Sequence, residues 1–393
     1  MIKIFTLIVL SLVLISCSAA TEVAAEPLVV VEEVVVITED VLYEETVEEI
    51  IQGVVDEIMF PIDPIDEFIT GMNINEKIGQ LFIVRMPNMN QAERLIRNYH
   101  IGGFILFGSD VSSIEQVQNL TSHLQGMSNI PLFIAVDEEG GRVSRVGRLF
   151  PERSGSAFSI GQTGKPQNAY DAYYGIGTKL RYLGFNMNFA PVADVWSNPA
   201  NTVIGDRSFG TEPELVAEMV AAAVKGLQSA DILAVIKHFP GHGDTYEDSH
   251  YSRTFYHHDR ARFDAIEAVP FKRGIEAGAE GVMMGHIITP QMLTETPHLP
   301  ATFSSYFMEQ ILREEMGFGG LIITDALDMR ALSRYYSQEE IVLNAFINGA
   351  DILLMPDNPS VAVNAMVEAF NNGYFTEERL HESLRRILTH KKG

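Results

Sequence analysis

Apolar runs of four to seven residues recur along the chain from about residue 80, and most are followed by a longer stretch with helical spacing. The runs at 80–85, 103–107, 132–137, 186–192, 233–237, 281–285, 321–324 and 351–355 are dense in Ile, Val, Leu, Phe and Met. They lack the steady polar alternation of a half-solvated strand, so they read as strands buried on both faces of a parallel sheet. Helical spacing fills 114–125, 168–183, 212–229, 261–277, 338–348 and 360–370. Eight strand-then-helix units predict an α/β fold, a (β/α)8 TIM-type barrel forming one domain over residues 66–393. A doubly wound open sheet is the competing architecture, but no glycine-rich dinucleotide fingerprint opens the first unit. Gly161-Gln162-Thr163-Gly164-Lys165-Pro166 lacks the spacing of a phosphate loop and the Ser/Thr after its lysine.

The N-terminus obeys a different pattern. Lys3 precedes an apolar run from Ile4 to Ile15, which falls short of the about 20 residues that span a bilayer. Residues 1–16 therefore read as a secretory signal peptide. The run ends in Leu14-Ile15-Ser16-Cys17, which resembles a bacterial lipobox and implies cleavage before Cys17 and lipidation of its sulfur. That places the expected protein in the cell envelope, lipid-anchored outside the cytoplasm, with the membrane as a partner. Cys17 is the only cysteine, so no internal disulfide or thiolate metal centre can form.

No Lys or Arg appears between Cys17 and Lys77, while acids are frequent. Residues 17–65 read as an extended acidic tether, with a strand or amphipathic helix packed on the main domain as the alternative. Much of the formal charge of −24 lies in this tract, and that balance argues against a nucleic-acid partner. It leaves the oligomeric state open.

Charged residues gather where the predicted strands end. Asp137 closes Phe133-Ile134-Ala135-Val136 and is followed by Glu138-Glu139-Gly140-Gly141-Arg142-Val143-Ser144-Arg145. Asp194 follows Phe189-Ala190-Pro191-Val192-Ala193, His286 follows Val282-Met283-Met284-Gly285, and Asp325 follows Leu321-Ile322-Ile323-Thr324. The fifth run passes into Lys237-His238-Phe239-Pro240-Gly241-His242-Gly243-Asp244-Thr245, with Asp248-Ser249-His250 just beyond. Any one of these could be a cap or a structural hydrogen-bonding group. All of them at the C-terminal ends of strands mark the edge where barrels build active sites.

Zinc ligation by His238, His242, Asp244, Asp248 and His250 is disfavoured by the cations Lys237 and Arg207 nearby, so neither a metal nor another cofactor is expected. No Gly-x-Ser-x-Gly elbow supports a serine hydrolase. Glycoside hydrolysis suits the residues better. A strand-end carboxylate such as Asp325 can attack an anomeric carbon, and a histidine can serve first as acid and then as base. Asp248 and His250 stand two apart, so in an extended segment they share a face and the carboxylate can steady the imidazole.

With these motifs the chain resembles a glycoside hydrolase family 3 β-N-acetylglucosaminidase of the bacterial single-domain type. The likeness rests on 135–143, on Asn188-Phe189-Ala190-Pro191-Val192-Ala193-Asp194-Val195, on Val203-Ile204-Gly205-Asp206-Arg207-Ser208-Phe209, on 237–245 with Asp248-Ser249-His250, and on Ile323-Thr324-Asp325-Ala326-Leu327. It implies a retaining exo-acting enzyme with Asp325 as nucleophile and His250 as acid/base assisted by Asp248. Asp137, Arg145, Arg207, Lys237 and His238 would hold the carbohydrate substrate. Terminal N-acetylglucosamine on peptidoglycan fragments or chitin oligosaccharides is the implied target. A phosphorylase using phosphate in place of water, and an inactive sugar-binding lipoprotein, are the alternatives. Trp196 stands where a smaller or polar residue is expected, and either stacks on a sugar or packs in the core.

Overall fold

The computed structural model of the protein describes residues 63–391. The signal peptide, Cys17 and nearly all of the acidic tract lie outside the described residues. Ten strands follow in chain order: β1 (Phe82–Arg85), β2 (Gly103–Leu106), β3 (Phe133–Val136), β4 (Met187–Asn188), β5 (Leu233–Phe239), β6 (Thr254–Phe255), β7 (Gly281–Met284), β8 (Ile287–Ile288), β9 (Leu321–Thr324) and β10 (Leu353–Leu354). Eight of them form one parallel sheet in the order β10-β1-β2-β3-β4-β5-β7-β9. A parallel bridge between Ile323 and Ile352 brings the two end strands together, and the Thr324 N–H donates to the Ile352 carbonyl at 3.0 Å. The ring is the expected (β/α)8 barrel.

Burial explains the composition of the strands. Every residue of β2, β3, β7 and β9 is buried, because barrel strands meet side chains on the inside and helices on the outside. The helices begin on caps that the sequence supplies. Asn88, Ser113 and Ser337 accept from backbone N–H groups at the starts of Met89–Tyr99, Ile114–Met127 and Gln338–Ile347. Pro166, Pro213 and Pro359 open three more, where a missing N–H costs nothing.

Two expected elements differ. The run 186–192 is regular only at Met187–Asn188, since Pro191 has no N–H to give and the ladder beyond becomes irregular. Even so, Val192 bridges to Lys237, so the segment stays beside β5. The stretch 261–277 forms two helices, Arg260–Ala265 and Ala268–Glu276, because Pro270 cannot donate to Ile266 in a continuous helix.

The N-terminal end of the barrel is held by a polar knot. Asp351, fully buried, accepts from Arg313 at 2.6 Å, Arg386 at 3.0 Å, Ser383 at 2.7 Å and the Ile322 N–H at 2.9 Å. Two of those partners lie on the helix Glu377–His390, which is thereby fastened to the barrel. A cavity of about 710 Å³ lies on this side, lined by Gln118, Asn186, Gln228 and Glu280 among others. Its amides are committed to backbone carbonyls. The charged residues that close the strands lie at the other end.

Candidate active site

At the C-terminal edge, β3 delivers Asp137, Glu138 and Glu139 into a loop that reverses through Gly140 (φ +85°) and Gly141 (φ +55°). Glu138 is buried within its own loop. Its carboxylate accepts from the Ser144 hydroxyl at 2.5 Å and from the N–H groups of Arg145 at 2.6 Å and Val146 at 2.8 Å, so it shapes the loop. Glu139 receives Arg207 through two hydrogen bonds of 2.8 and 2.9 Å and Lys237 at 2.6 Å. Burial disfavours its charge, yet the two cations hold its carboxyl far below the usual carboxylate range.

Lys237 also donates to Asp137 at 2.7 Å. Burial would lower its pKa, but Asp137 and Glu139 together push it up. It therefore stays an ammonium, with two of its three donors committed to carboxylates. Arg207 approaches His238 Nε2 at 3.4 Å, while His238 Nδ1 lies 2.7 Å from Asp194. Asp194 is wholly buried and also accepts the N–H groups of His238 and His242, at 3.2 and 2.7 Å. One strand-end aspartate thus fixes both the imidazole and the start of the following loop.

That loop carries the dyad. Gly243 is needed where the backbone passes the Val195 carbonyl, since any Cβ would collide with it. His242 is buried, with Nδ1 2.7 Å from the Thr245 hydroxyl and Nε2 3.1 Å from Ser249. Burial and the neighbouring His238 push its pKa down to about 4, so it packs as a neutral loop-shaping group. Asp244 holds Ser197 at 2.9 Å and His258 at 2.6 Å.

His250 Nδ1 meets Asp248 Oδ1 at 2.7 Å, leaving Nε2 free to face a ligand. The expected extended geometry is corrected here. Asp248 accepts the His250 N–H at 2.9 Å with its side chain, while its carbonyl receives the Tyr251 N–H at 3.0 Å. The pair is formed by an Asx-type turn, which brings side chains two apart together without a strand.

Asp325 follows β9. Its N–H donates to the Met284 carbonyl at 2.9 Å, and its Oδ1 accepts from Ala326 at 2.7 Å. Burial alone would raise its pKa. The imidazoles of His238, His286 and His250 and the Ala326 N–H outweigh it and bring the pKa below the usual value. Asp325 is thus an ionised carboxylate whose charge the nearby imidazoles favour.

Arg145 lies beside the Phe107 ring, 5.8 Å from its centroid, and its Nε finds no hydrogen-bond partner among the described residues. Trp196 donates to the Asn201 carbonyl at 3.0 Å and meets Phe158 edge-on at 5.7 Å, so it packs into the loop framework. Of the five residues weighed as zinc ligands, Asp248 and His250 pair with each other while His238, His242 and Asp244 are engaged by other groups. Among the described residues no three His, Cys, Asp or Glu side chains form a metal-holding group.

Sequence reasoning left Glu139, Asp194 and His286 out of the site. His286 Nε2 lies 2.9 Å from the Ala326 carbonyl and Nδ1 2.7 Å from Thr302, with burial lowering its pKa. It supports the turn that presents Asp325. Its place at a strand end was the available signal.

Residues 73–390 match the family described as the glycosyl hydrolase family 3 N terminal domain. Beta-hexosaminidase A of Pseudoalteromonas piscicida is 40% identical over 283 residues, 68% of this chain but 47% of that protein. Beta-hexosaminidase LpqI of Mycobacterium tuberculosis is 35% identical over 327 residues, 80% of this chain and 82% of the relative. Among solved structures, a glycoside hydrolase family 3 beta-N-acetylglucosaminidase from a Paenibacillus species superposes with a TM-score of 0.79 at 38% identity. That superposition covers 82% of this chain and 62% of the other. The chain thus spans about half of one curated relative and most of another.

Proposed function

The chain belongs to glycosyl hydrolase family 3, and we propose that it is a retaining exo-β-N-acetylglucosaminidase that removes terminal β-linked N-acetylglucosamine. The observation that carries this reading is a carboxylate, Asp325, held at the C-terminal end of β9 by the Ala326 N–H, together with the Asp248-supported His250 on the loop after β5. The relatives named for β-hexosaminidase activity agree with it.

In the first step an Asp325 oxygen attacks the anomeric carbon while His250, protonated at Nε2, gives its proton to the departing glycosidic oxygen. Asp248 supports the imidazolium through Nδ1. In the second step neutral His250 takes a proton from water, and the water oxygen displaces Asp325 with a second inversion. Asp137, Arg145, Arg207, Lys237 and His238 are the sugar-holding residues of this reading. Asp137 keeps acceptor capacity toward ring hydroxyls beside its bond from Lys237. Peptidoglycan fragments and chitin oligosaccharides both present the required terminal sugar.

Turnover of a nitrophenyl β-N-acetylglucosaminide tests the activity, and Asp325→Ala must abolish it while the fold persists. A 2-fluoro glycoside should label Asp325. Labelling of Glu138 or Glu139 instead overturns the assignment. In phosphate buffer the product should be free sugar, whereas sugar 1-phosphate would establish phosphorolysis. Cys17 is the proposed lipidation site, with the enzyme anchored outside the cytoplasm. Cys17→Ser should move the protein from the detergent phase to the aqueous phase with activity intact, and a wild-type chain found wholly in the aqueous phase contradicts the anchor.

A further inference from the structure

We propose that Arg253 and Tyr335 tie the two catalytic loops together and so set the position of His250 over Asp325. The inference rests on the roles proposed above for those two residues. His250 has a 61% exposed side chain, and its close polar partner is Asp248 on the same turn. A proton donor must nevertheless sit within about 3 Å of the leaving oxygen at the moment of bond cleavage. Something outside the turn has to fix where the turn stands.

Arg253 follows three residues after His250 and immediately precedes β6, which pairs with β8 just beyond His286. Its guanidinium carbon lies 3.8 Å from the centroid of the Tyr335 ring. That is the shortest cation-to-ring distance among the described residues. Tyr335 belongs to the segment that leaves Asp325, just past the short helix Arg330–Ser333. The contact therefore crosses from the fifth barrel unit to the seventh.

The Tyr335 side of the contact is itself braced. Tyr336 meets Phe303 edge-on at 5.2 Å, and Phe303 follows Thr302. Thr302 bonds His286, which contacts the carbonyl of Ala326 beside the nucleophile. A continuous run of contacts thus connects the nucleophile's turn to the exit of the acid/base loop, and Arg253 closes it. A guanidinium held over a ring face at this distance resists sliding yet permits small rotation, which suits an arm that must admit substrate. Arg253 and Tyr335 are positioning residues: they act through His250 and touch no reacting atom.

The test compares kcat/KM on a β-linked N-acetylglucosamine disaccharide, which needs the proton donor, with that on a nitrophenyl glycoside, which needs it little. Arg253→Ala and Tyr335→Ala should each lower the disaccharide value roughly 3- to 30-fold and leave the nitrophenyl value near wild type. The double variant should be no worse than the poorer single one, because both remove the same contact. Tyr335→Phe keeps the ring and should behave as wild type, while Tyr335→Leu keeps apolar bulk and should behave as the alanine variant. Equal losses on both substrates, additive losses in the double variant, or a failing Tyr335→Phe would overturn the tie. His250→Ala in the same assay separates the two levels of inference. If it shows the leaving-group dependence and Arg253→Ala does not, the tie alone is wrong. If His250→Ala lacks that dependence, the acid/base assignment has failed and the tie falls with it.

Discussion

Arg207, Lys237 and Glu139 form a lattice of opposite charges buried at the barrel mouth, whereas Asp248 and His250 meet on a turn exposed to water. In the first region each side chain is fixed by elements far apart in the chain, and the Glu139 side chain is only 2% exposed. In the second, the partner of the imidazole is two residues away. The difference fits what the proposed function asks of each. A sugar ring is held best by groups that cannot reorganise, since their alignment is set before binding. In the proposed mechanism His250 gives a proton in one step and takes one in the next, so it has to meet a leaving sugar and then a water. One region is specified by folding, and the other by a local turn hung between anchors.

The largest effect should come from breaking the lattice. Glu139→Ala leaves Arg207 and Lys237 buried without their shared counter-charge, a loss of about 3–5 kcal/mol. Denaturant unfolding should show it, with activity lost in parallel. A stability near wild type would mean that the lattice is not what holds this face.

His250→Ala reverses the pattern. Its unfolding free energy should stay within about 0.5 kcal/mol of wild type, as for other exposed sites. Hydrolysis of a disaccharide should fall about 10²–10⁴-fold, with far less damage to substrates carrying good phenol leaving groups, and azide should partly restore the second step. A melting midpoint depressed as much as in Glu139→Ala would erase the contrast.

His242 lies between the two regions and should report on acid. Its pKa falls from 6.5 to about 4 on folding. The unfolded chain therefore takes up this proton first as pH falls. Its contribution to stability is fully present above about pH 6.5, is lost progressively toward pH 4, and changes no further below that. The whole shift amounts to about 3 kcal/mol. Chemical denaturation at pH 7 and pH 4.5 should show a smaller acid loss for His242→Asn than for wild type. An unchanged difference would mean that the imidazole is already charged in the native state.

The smallest expected effect is that of Asp248→Asn, roughly tenfold or less on the disaccharide, the worth of one charge-assisted hydrogen bond. It should follow the leaving-group pattern of His250→Ala. A uniform loss on all substrates would mean that Asp248 shapes the turn more than it supports the imidazole.

The same contrast explains what the amino-acid sequence made legible. The barrel was visible because parallel strands buried on both faces leave unbroken apolar runs, and Asp137, Lys237, His286 and Asp325 were marked by ending them. The Asp248–His250 pair was visible because its two members are neighbours in the chain, although its geometry is a turn and not a strand. Glu139 was hidden for the opposite reason. Arg207 lies 68 positions away, and nothing local distinguishes Glu139 from the adjacent Glu138, which the fold uses to pin a loop. The break at Ile266–Glu267 was written in Pro270 and masked by helical spacing on both sides. Cys17 and the acidic tract stay as sequence expectations, since they lie outside the described residues.

The acid/base arm carries a further consequence. Tyr246 and Tyr251 are 72% and 66% exposed and flank the dyad, between anchors at Asp244 and at β6. An endoprotease that cuts after aromatic residues would meet two open sites there, beside those at exposed residues such as Tyr182 and Tyr374 elsewhere on the surface. A molecule nicked at the arm should keep its barrel, its sugar-holding lattice and its nucleophile. On the proposed mechanism it would still accept the sugar from a substrate with a good leaving group, but with the water-activating base out of place it would hold that sugar as an ester on Asp325. A single surface cut would turn a catalyst into a reagent that captures one sugar per molecule and stops.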